Sequence, residues 1–305
     1  MQIYYKEPTT QTHKPMMKTK RVTVPDFQRM KRRDEKISVL TAYDYTFAHL
    51  MDNAGIDAIL VGDSLGMIVQ GRDSTIPVTL DDIIYHTRAV KRGVQRAMII
   101  ADLPFLTYQI SIDDAMKNAA RLLQEGGADA VKLEGGRSQA QTVKRLVEAG
   151  IPVMGHVGLG PQSIKLLGSH KVQGKTAQGA AHLVEDACAL QDAGAFAVVI
   201  EAVPWPAAQR ISETLTVPTI GIGAGPHCDG QVLVFADLLG LFTAFQPHFV
   251  RRFAQMGDEA SQAFQNFARA VKDGSFPSYD ESYPMDEDER AQMDHGPFAS
   301  PPERS

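Results

Sequence analysis

The sequence predicts a (β/α)8 barrel of the TIM type, and three observations carry that reading. Eight short β-branched or apolar runs alternate with longer segments of helical period, the pattern of βα units and a parallel sheet. The 305-residue chain suffices for one such barrel, which takes roughly 250 residues. Four of the runs close on an acid, at the strand end where parallel α/β folds carry their ligand sites. An open doubly wound sheet is the runner-up, since it rests on the same alternation and differs in strand count.

The runs are ISVLTAY from Ile37, AILVG from Ala58, AMIIA from Ala97, AVKLE from Ala130, PVMGHV from Pro152, AVVIE from Ala197, PTIGI from Pro218 and VLVFA from Val232. The intervening helices have local support. TLDDIIYHTRAVKRG offers Thr79 as N-cap, acids in its first turn, cations in its last and Gly93 as a stop. SIDDAMKNAARLLQEGG repeats that design. After the eighth run, residues 249–272 read as a long amphipathic helix carrying Phe253, Phe264 and Phe267. That is more aromatic surface than a final barrel helix requires, so it either docks on a neighbouring subunit or packs on its own barrel.

Charge gathers at the ends. Residues 1–36 hold ten Lys/Arg against four Asp/Glu, and residues 280–305 hold eight acids against two Arg. The chain therefore divides into a basic tail over 1–21, a catalytic barrel over 22–283 and an acidic tail over 284–305, with both tails expected to be solvated or disordered. A composition of 44% hydrophobic and 22% charged residues with net charge -5 is that of a globular protein with no electrostatic bias toward nucleic acid or an anionic membrane. Small molecules are the expected ligands. Cys188 and Cys228 lack CxxC spacing and are too few for a disulfide framework. With no apolar run near the roughly 20 residues of a membrane span, and no signal-type apolar region near the start, the expected compartment is the cytoplasm.

An internal echo marks the site. AGIDAILVGD, GGADAVKLE and AGAFAVVIE each lead from a glycine through an alanine-led strand to an acid, and RAMIIAD shares the strand and the acid. They deliver Asp63, Asp102, Glu134 and Glu201 at or just past strand ends. Any one of these could be a helix cap or a solvated loop residue. In a barrel, however, Asp63, Asp102 and Glu134 come from neighbouring strands, and three adjacent carboxylates repel unless protons or a cation intervene. An oxygen-ligated divalent metal is the economical answer, with Mg²⁺ the best fit to hard oxygen donors.

Lys132 lies two residues before Glu134, so strand period points both into the barrel. It could form an internal salt bridge with Glu134, capture a substrate carboxylate, or form a Schiff base as in a metal-free aldolase, which the acid cluster argues against. His156 ends the fifth run, where it could bond a substrate or an acid, or be a satisfied core residue. Glu201 precedes AVPWP, whose prolines and tryptophan would stiffen the loop, limit water and make the acid a proton shuttle. GIGAGPHCDGQ, Gly221 to Gln231, permits a phosphate cradle, but close approach of a neighbouring loop is the stronger reading.

The segments LTAYDYTFAHLMDNAGIDAILVGDSLGMIVQG, ADLPF, AVKLEGG, GHVGLGPQS, QDAGAFAVVIEAVP and IGIGAGPHCDGQVLV together resemble the ketopantoate hydroxymethyltransferase family, over roughly Val22 to Tyr283. The resemblance implies a barrel of the phosphoenolpyruvate/pyruvate enzyme type, assembled as a homodecamer. It also implies transfer of a hydroxymethyl group from 5,10-methylenetetrahydrofolate to 3-methyl-2-oxobutanoate through a Mg²⁺-stabilised enolate, giving 2-dehydropantoate for pantothenate and coenzyme A synthesis. By motif it assigns Asp63, Asp102 and Glu134 to Mg²⁺, Asp63, Ser64, Asp102 and Lys132 to the keto acid, and Glu201 as proton acceptor. Competing expectations are a metal-dependent aldolase or lyase acting on another 2-oxo acid, separated by folate dependence, and a non-catalytic metabolite-binding barrel, separated by turnover.

Overall fold

The structure is a computed structural model and describes residues 20–168, 171–242 and 246–295. Eight parallel strands close on themselves: β1 (Ile37–Thr41), β2 (Ala58–Val61), β3 (Met98–Asp102), β4 (Ala130–Lys132), β5 (Val153–Gly158), β6 (Ala197–Glu201), β7 (Thr219–Ile222) and β8 (Gly230–Leu233), with β8 pairing back onto β1. The barrel is closed, so the open doubly wound sheet is ruled out.

Alternation along each strand divides the core in two. Ile37, Val39, Ala58, Leu60, Met98, Ile100, Ala130, Met154, Ala197, Val199, Ile220 and Val232 form one buried cluster inside the barrel. Their neighbours Ile59, Val61, Ile99, Ala101, Val131, Val153, Val198 and Ile200 face outward into the larger cluster shared with the helices. Continuing the inward parity toward the carboxyl ends leads from Ile100 to Asp102, from Ala130 to Lys132, from Met154 to His156 and from Val199 to Glu201. The same period that fills the barrel with aliphatics thus delivers polar side chains to its mouth.

The opposite end is plugged. Helix Val24–Arg32 opens with a capping box between Thr23 and Asp26, with Pro25 in its first turn. Its Phe27 is fully buried against the interior cluster and meets Phe196 edge-on at 5.5 Å between ring centroids. Lys31 bonds Asp229 at 2.7 Å just before β8. Apolar packing and ion pairs seal this end, and access to the interior is left to the mouth.

Several local expectations change. Helix Leu80–Gly93 has the Thr79 cap and its box with Asp82 and ends at Gly93 as expected, but Gly93 does so as its last helical residue and not as a left-handed cap. A Cβ there would lie 2.6 Å from the Tyr45 carbonyl oxygen, so the glycine serves close helix approach. The long C-terminal helix spans Met256–Asp273, starting later than residue 249. Residues 247–250 instead form a turn closed by the Val250 N–H on the Pro247 carbonyl. The Phe253 and Met256 N–H groups then bond back to Leu238 and Leu239, holding the chain off a helical path. Within the acidic tail, Glu287–His295 is helical, which corrects the expectation of disorder for that stretch. Residues 1–19 and 296–305, most of the basic tail and the end of the acidic one, lie outside the described residues. No helix among the described residues is long and apolar enough to cross a membrane.

Candidate active site at the barrel mouth

Lys132 and Asp102 are register partners on β4 and β3, and they meet in a buried ion pair of 2.6 Å. The alternative salt bridge expected from the sequence, Lys132 with Glu134, is not the one formed. Cross-strand register outweighs the spacing along one strand, because directly opposed residues on one face approach most closely. The other Asp102 oxygen accepts the Asp63 N–H at 3.0 Å, which ties the turn after β2 to β3. Gly62 makes that approach possible, since a Cβ there would come 3.1 Å from the same carboxylate and 3.0 Å from Ser64 Oγ. Ser64 shares a 2.7 Å hydrogen bond with the phenol of buried Tyr43.

Asp63, Asp102 and Glu134 are 4%, 2% and 7% exposed and face one ammonium. Burial, reinforced by the Asp102 carboxylate, pushes the Asp63 carboxyl up to about 7. Burial also raises Glu134 well above the usual carboxylate range, with Lys132 opposing it. Burial works against the Lys132 charge, yet Asp102, Glu134 and Asp63 outweigh it and hold the ammonium above its ordinary value. The cluster is therefore short of positive charge. A Schiff-base role, which needs a lysine that deprotonates readily, fits this environment poorly.

His156 and Glu201 complete the mouth. His156 is 3% exposed; its Nε2 lies 3.3 Å from Glu201 Oε2 and its Nδ1 3.9 Å from Glu134 Oε1, neither in hydrogen-bonding alignment. Both ring nitrogens and Glu134 Oε1 are buried without a hydrogen-bond partner. Groups left unpaired at such cost mark a place where a ligand completes the bonding. The Glu201 side chain is 19% exposed, the most open of the set. The AVPWP loop does not cover it as expected, because Trp205 is itself 55% exposed and packs toward His227 and Gly225. A Cβ on Gly225 would lie 2.4 Å from the Trp205 Cβ, so the glycines of Gly221 to Gln231 serve loop packing.

Sequence reasoning missed three residues. Tyr108 bonds both the Glu134 backbone and Gln162. Gln162 reaches Asp63 and, through its N–H, Glu134 Oε2. Tyr43 holds Ser64. Each lies inside or beside a quoted motif, but its partner depends on loop paths that no spacing encodes.

Hard carboxylate oxygens, one of them unpartnered, around an excess of negative charge fit a hard divalent cation. Among the described residues, no group of three or more His, Cys, Asp or Glu converges closely enough to hold a metal by itself. The three carboxylates expected to share one cation are therefore not drawn together in this arrangement, in which Asp102 is paired with Lys132 and Asp63 with Gln162.

The model of one family, ketopantoate hydroxymethyltransferase, matches residues 21–279. The chain belongs to that family. Relatives named 3-methyl-2-oxobutanoate hydroxymethyltransferase include one from Syntrophus aciditrophicus (strain SB), 52% identical over 87% of this chain and 98% of its own. Another, from Moorella thermoacetica (strain ATCC 39073 / JCM 9320), is 53% identical over 88% of this chain and 100% of its own. Solved structures with the same fold include phosphonopyruvate hydrolase in complex with oxalate and Mg²⁺, at TM-score 0.57 and 14% identity over 91% of this chain and 100% of that one. A 2,3-dimethylmalate lyase of the PEP mutase/isocitrate lyase superfamily aligns at TM-score 0.55 and 16% identity, covering 89% and 98%.

Proposed function

We infer that this chain transfers a hydroxymethyl group from 5,10-methylenetetrahydrofolate to 3-methyl-2-oxobutanoate, giving 2-dehydropantoate for pantothenate synthesis. The observation that carries the reading is the buried Lys132–Asp102 pair among surplus carboxylates at the mouth of a family barrel. Lys132 is a fixed cation for the keto-acid carboxylate, and Asp102 sets its position. Ser64, held by Tyr43, orients the bound acid from the β2 side. Glu201 takes up a proton at C3 or at the water that supplies the hydroxyl oxygen, with His156 Nε2 beside it at 3.3 Å. Asp63, Asp102 and Glu134 would hold Mg²⁺, which when bound supplies Lewis-acid polarisation of the 2-oxo group.

The tails lie outside this chemistry. We read the assembly as a homo-oligomer, a decamer by family resemblance; exposed Phe264 and Phe267 on helix Met256–Asp273 support contact with another copy. The unpaired thiols Cys188 and Cys228 suit a reducing cytoplasm. The test is proton NMR of 3-methyl-2-oxobutanoate with enzyme and Mg²⁺, with and without 5,10-methylenetetrahydrofolate. Product hydroxymethyl signals should appear only with folate. Carbon-carbon cleavage of a 2-oxo acid without folate would favour the lyase reading instead.

A further inference from the structure

We propose that Gln162 is a positioning residue of this reaction, whose side-chain amide and backbone N–H hold Asp63 and Glu134 apart from Lys132 in one fixed arrangement. The proposal rests on the reading of those two acids as metal and substrate ligands. Gln162 is 3% exposed and sits in the short turn Pro161–Ser163 after β5. Its Nε2 donates to Asp63 Oδ2 at 2.9 Å and to the Leu103 carbonyl at 3.0 Å, while its N–H donates to Glu134 Oε2 at 3.2 Å. Its Oε1 accepts from the Tyr108 hydroxyl at 2.9 Å and from Gln109 Nε2 at 3.1 Å. The Asp63 carboxylate and the Leu103 carbonyl, both acceptors, set the amide with its nitrogen toward them.

The arrangement answers a physical problem. Three buried acids compete for one ammonium, and without other donors Asp63 and Glu134 would be drawn onto Lys132 and occupy it. Gln162 gives each acid a neutral donor, leaving the ammonium paired with Asp102 and leaving Glu134 Oε1 without a partner. A charged donor would cancel the negative excess that a cation needs, and another acid would add to it. Tyr108 makes the brace rigid by bonding both Gln162 and the Glu134 backbone, which links the turns that follow β3, β4 and β5. Gly160 completes the fit, since a Cβ there would fall 2.5 Å from Glu134 Oε2.

The test compares the parent with Gln162→Met, which keeps volume but removes the amide, in steady-state kinetics, Mg²⁺ titration calorimetry and thermal unfolding. Expected are a kcat lower by about 10- to 100-fold and a Mg²⁺ Kd raised about 10-fold or more, the usual span for losing a group that orients metal ligands. The KM for folate should stay near the parent's, and the losses of kcat and Mg²⁺ affinity should persist at temperatures well below the Tm, which falls as buried partners of the amide lose their bonds; a purely structural role would not give that split. Tyr108→Phe should shift kcat and Kd the same way by less, and should not add to Gln162→Met. A Gln162→Met enzyme with kcat and Mg²⁺ Kd within twofold of the parent overturns the proposal, as does a kcat loss that merely tracks the loss of Tm. If that variant does not fold, Gln162→Asn, too short to reach Asp63, is judged by the same criteria. A parent that binds no Mg²⁺ would refute the metal reading, and the kcat and Tm comparison would still decide the role of Gln162.

Discussion

Lys132 has three carboxylates in its field and takes one. Asp102 wins because the β3–β4 register sets it directly opposite, and the resulting pair at 2.6 Å is the electrostatic anchor of the mouth. Lys132→Ala should therefore raise the Kd for 3-methyl-2-oxobutanoate about 100-fold or more by calorimetry, the scale of losing one buried charge-assisted contact, while Mg²⁺ still binds. Borohydride trapping of substrate on Lys132 would instead show a Schiff base. Glu201→Gln keeps shape and removes the base, so turnover should fall by about 10² to 10⁴ with keto-acid binding retained. Undiminished transfer would remove Glu201 from the chemistry. Asp102, Lys132, Glu134 and Glu201 were legible in the sequence because strand period fixes which way they point; Asp63, past β2 and out of step with inward Ala58 and Leu60, was marked only by the repeated strand-to-acid echo. Their partners were not, since Lys132–Asp102, Tyr43–Ser64 and Gln162–Asp63 all join residues from different βα units.

At the scale of elements, seven strands were legible to within two residues at either end, but the eighth, read from Val232, is Gly230–Leu233, with Phe235 and Ala236 already in the following helix; helix ends depended on tertiary contact. Gly93 does end its helix, yet what requires a glycine there is the close approach of Tyr45. The segment before Met256 reads as helix but is held by backbone bonds to Leu238 and Leu239. Helix Val24–Arg32 is the element whose electrostatics make a pH prediction. The Thr23 hydroxyl, with Arg29 and the Thr23 N–H adding to it, holds the Asp26 carboxyl at about 2, below its usual 3.8. A lowered folded-state value means stability that is present above the unfolded pKa and lost as pH falls through the folded one. Asp26→Asn should thus cost about 1 kcal/mol at pH 7, as for a lost cap. In denaturant titrations the gap to the parent should close as pH drops from about 4 toward 2. A gap that does not change with pH would mean that the box contributes shape and not charge.

For the whole molecule, the plugged end and the polar mouth make the barrel one-sided. The family match ends at residue 279, and the described residues from Tyr279 to Met293 are exposed. Deleting residues 284–305 should leave specific activity and oligomer size, read by light scattering, near those of the full chain. A large loss of either would make the acidic segment a working part.

The proposed reaction requires the mouth of this barrel to deprotonate a 2-oxo acid before any carbon is transferred. Deuterium exchange at C3 of 3-methyl-2-oxobutanoate, followed by proton NMR in deuterated buffer with enzyme and Mg²⁺ and no folate, tests it most directly. The methine signal should disappear and the methyl doublet collapse toward a singlet, at a rate that falls sharply in Lys132→Ala. A methine signal that persists while the same enzyme, given folate, forms product would contradict the claim.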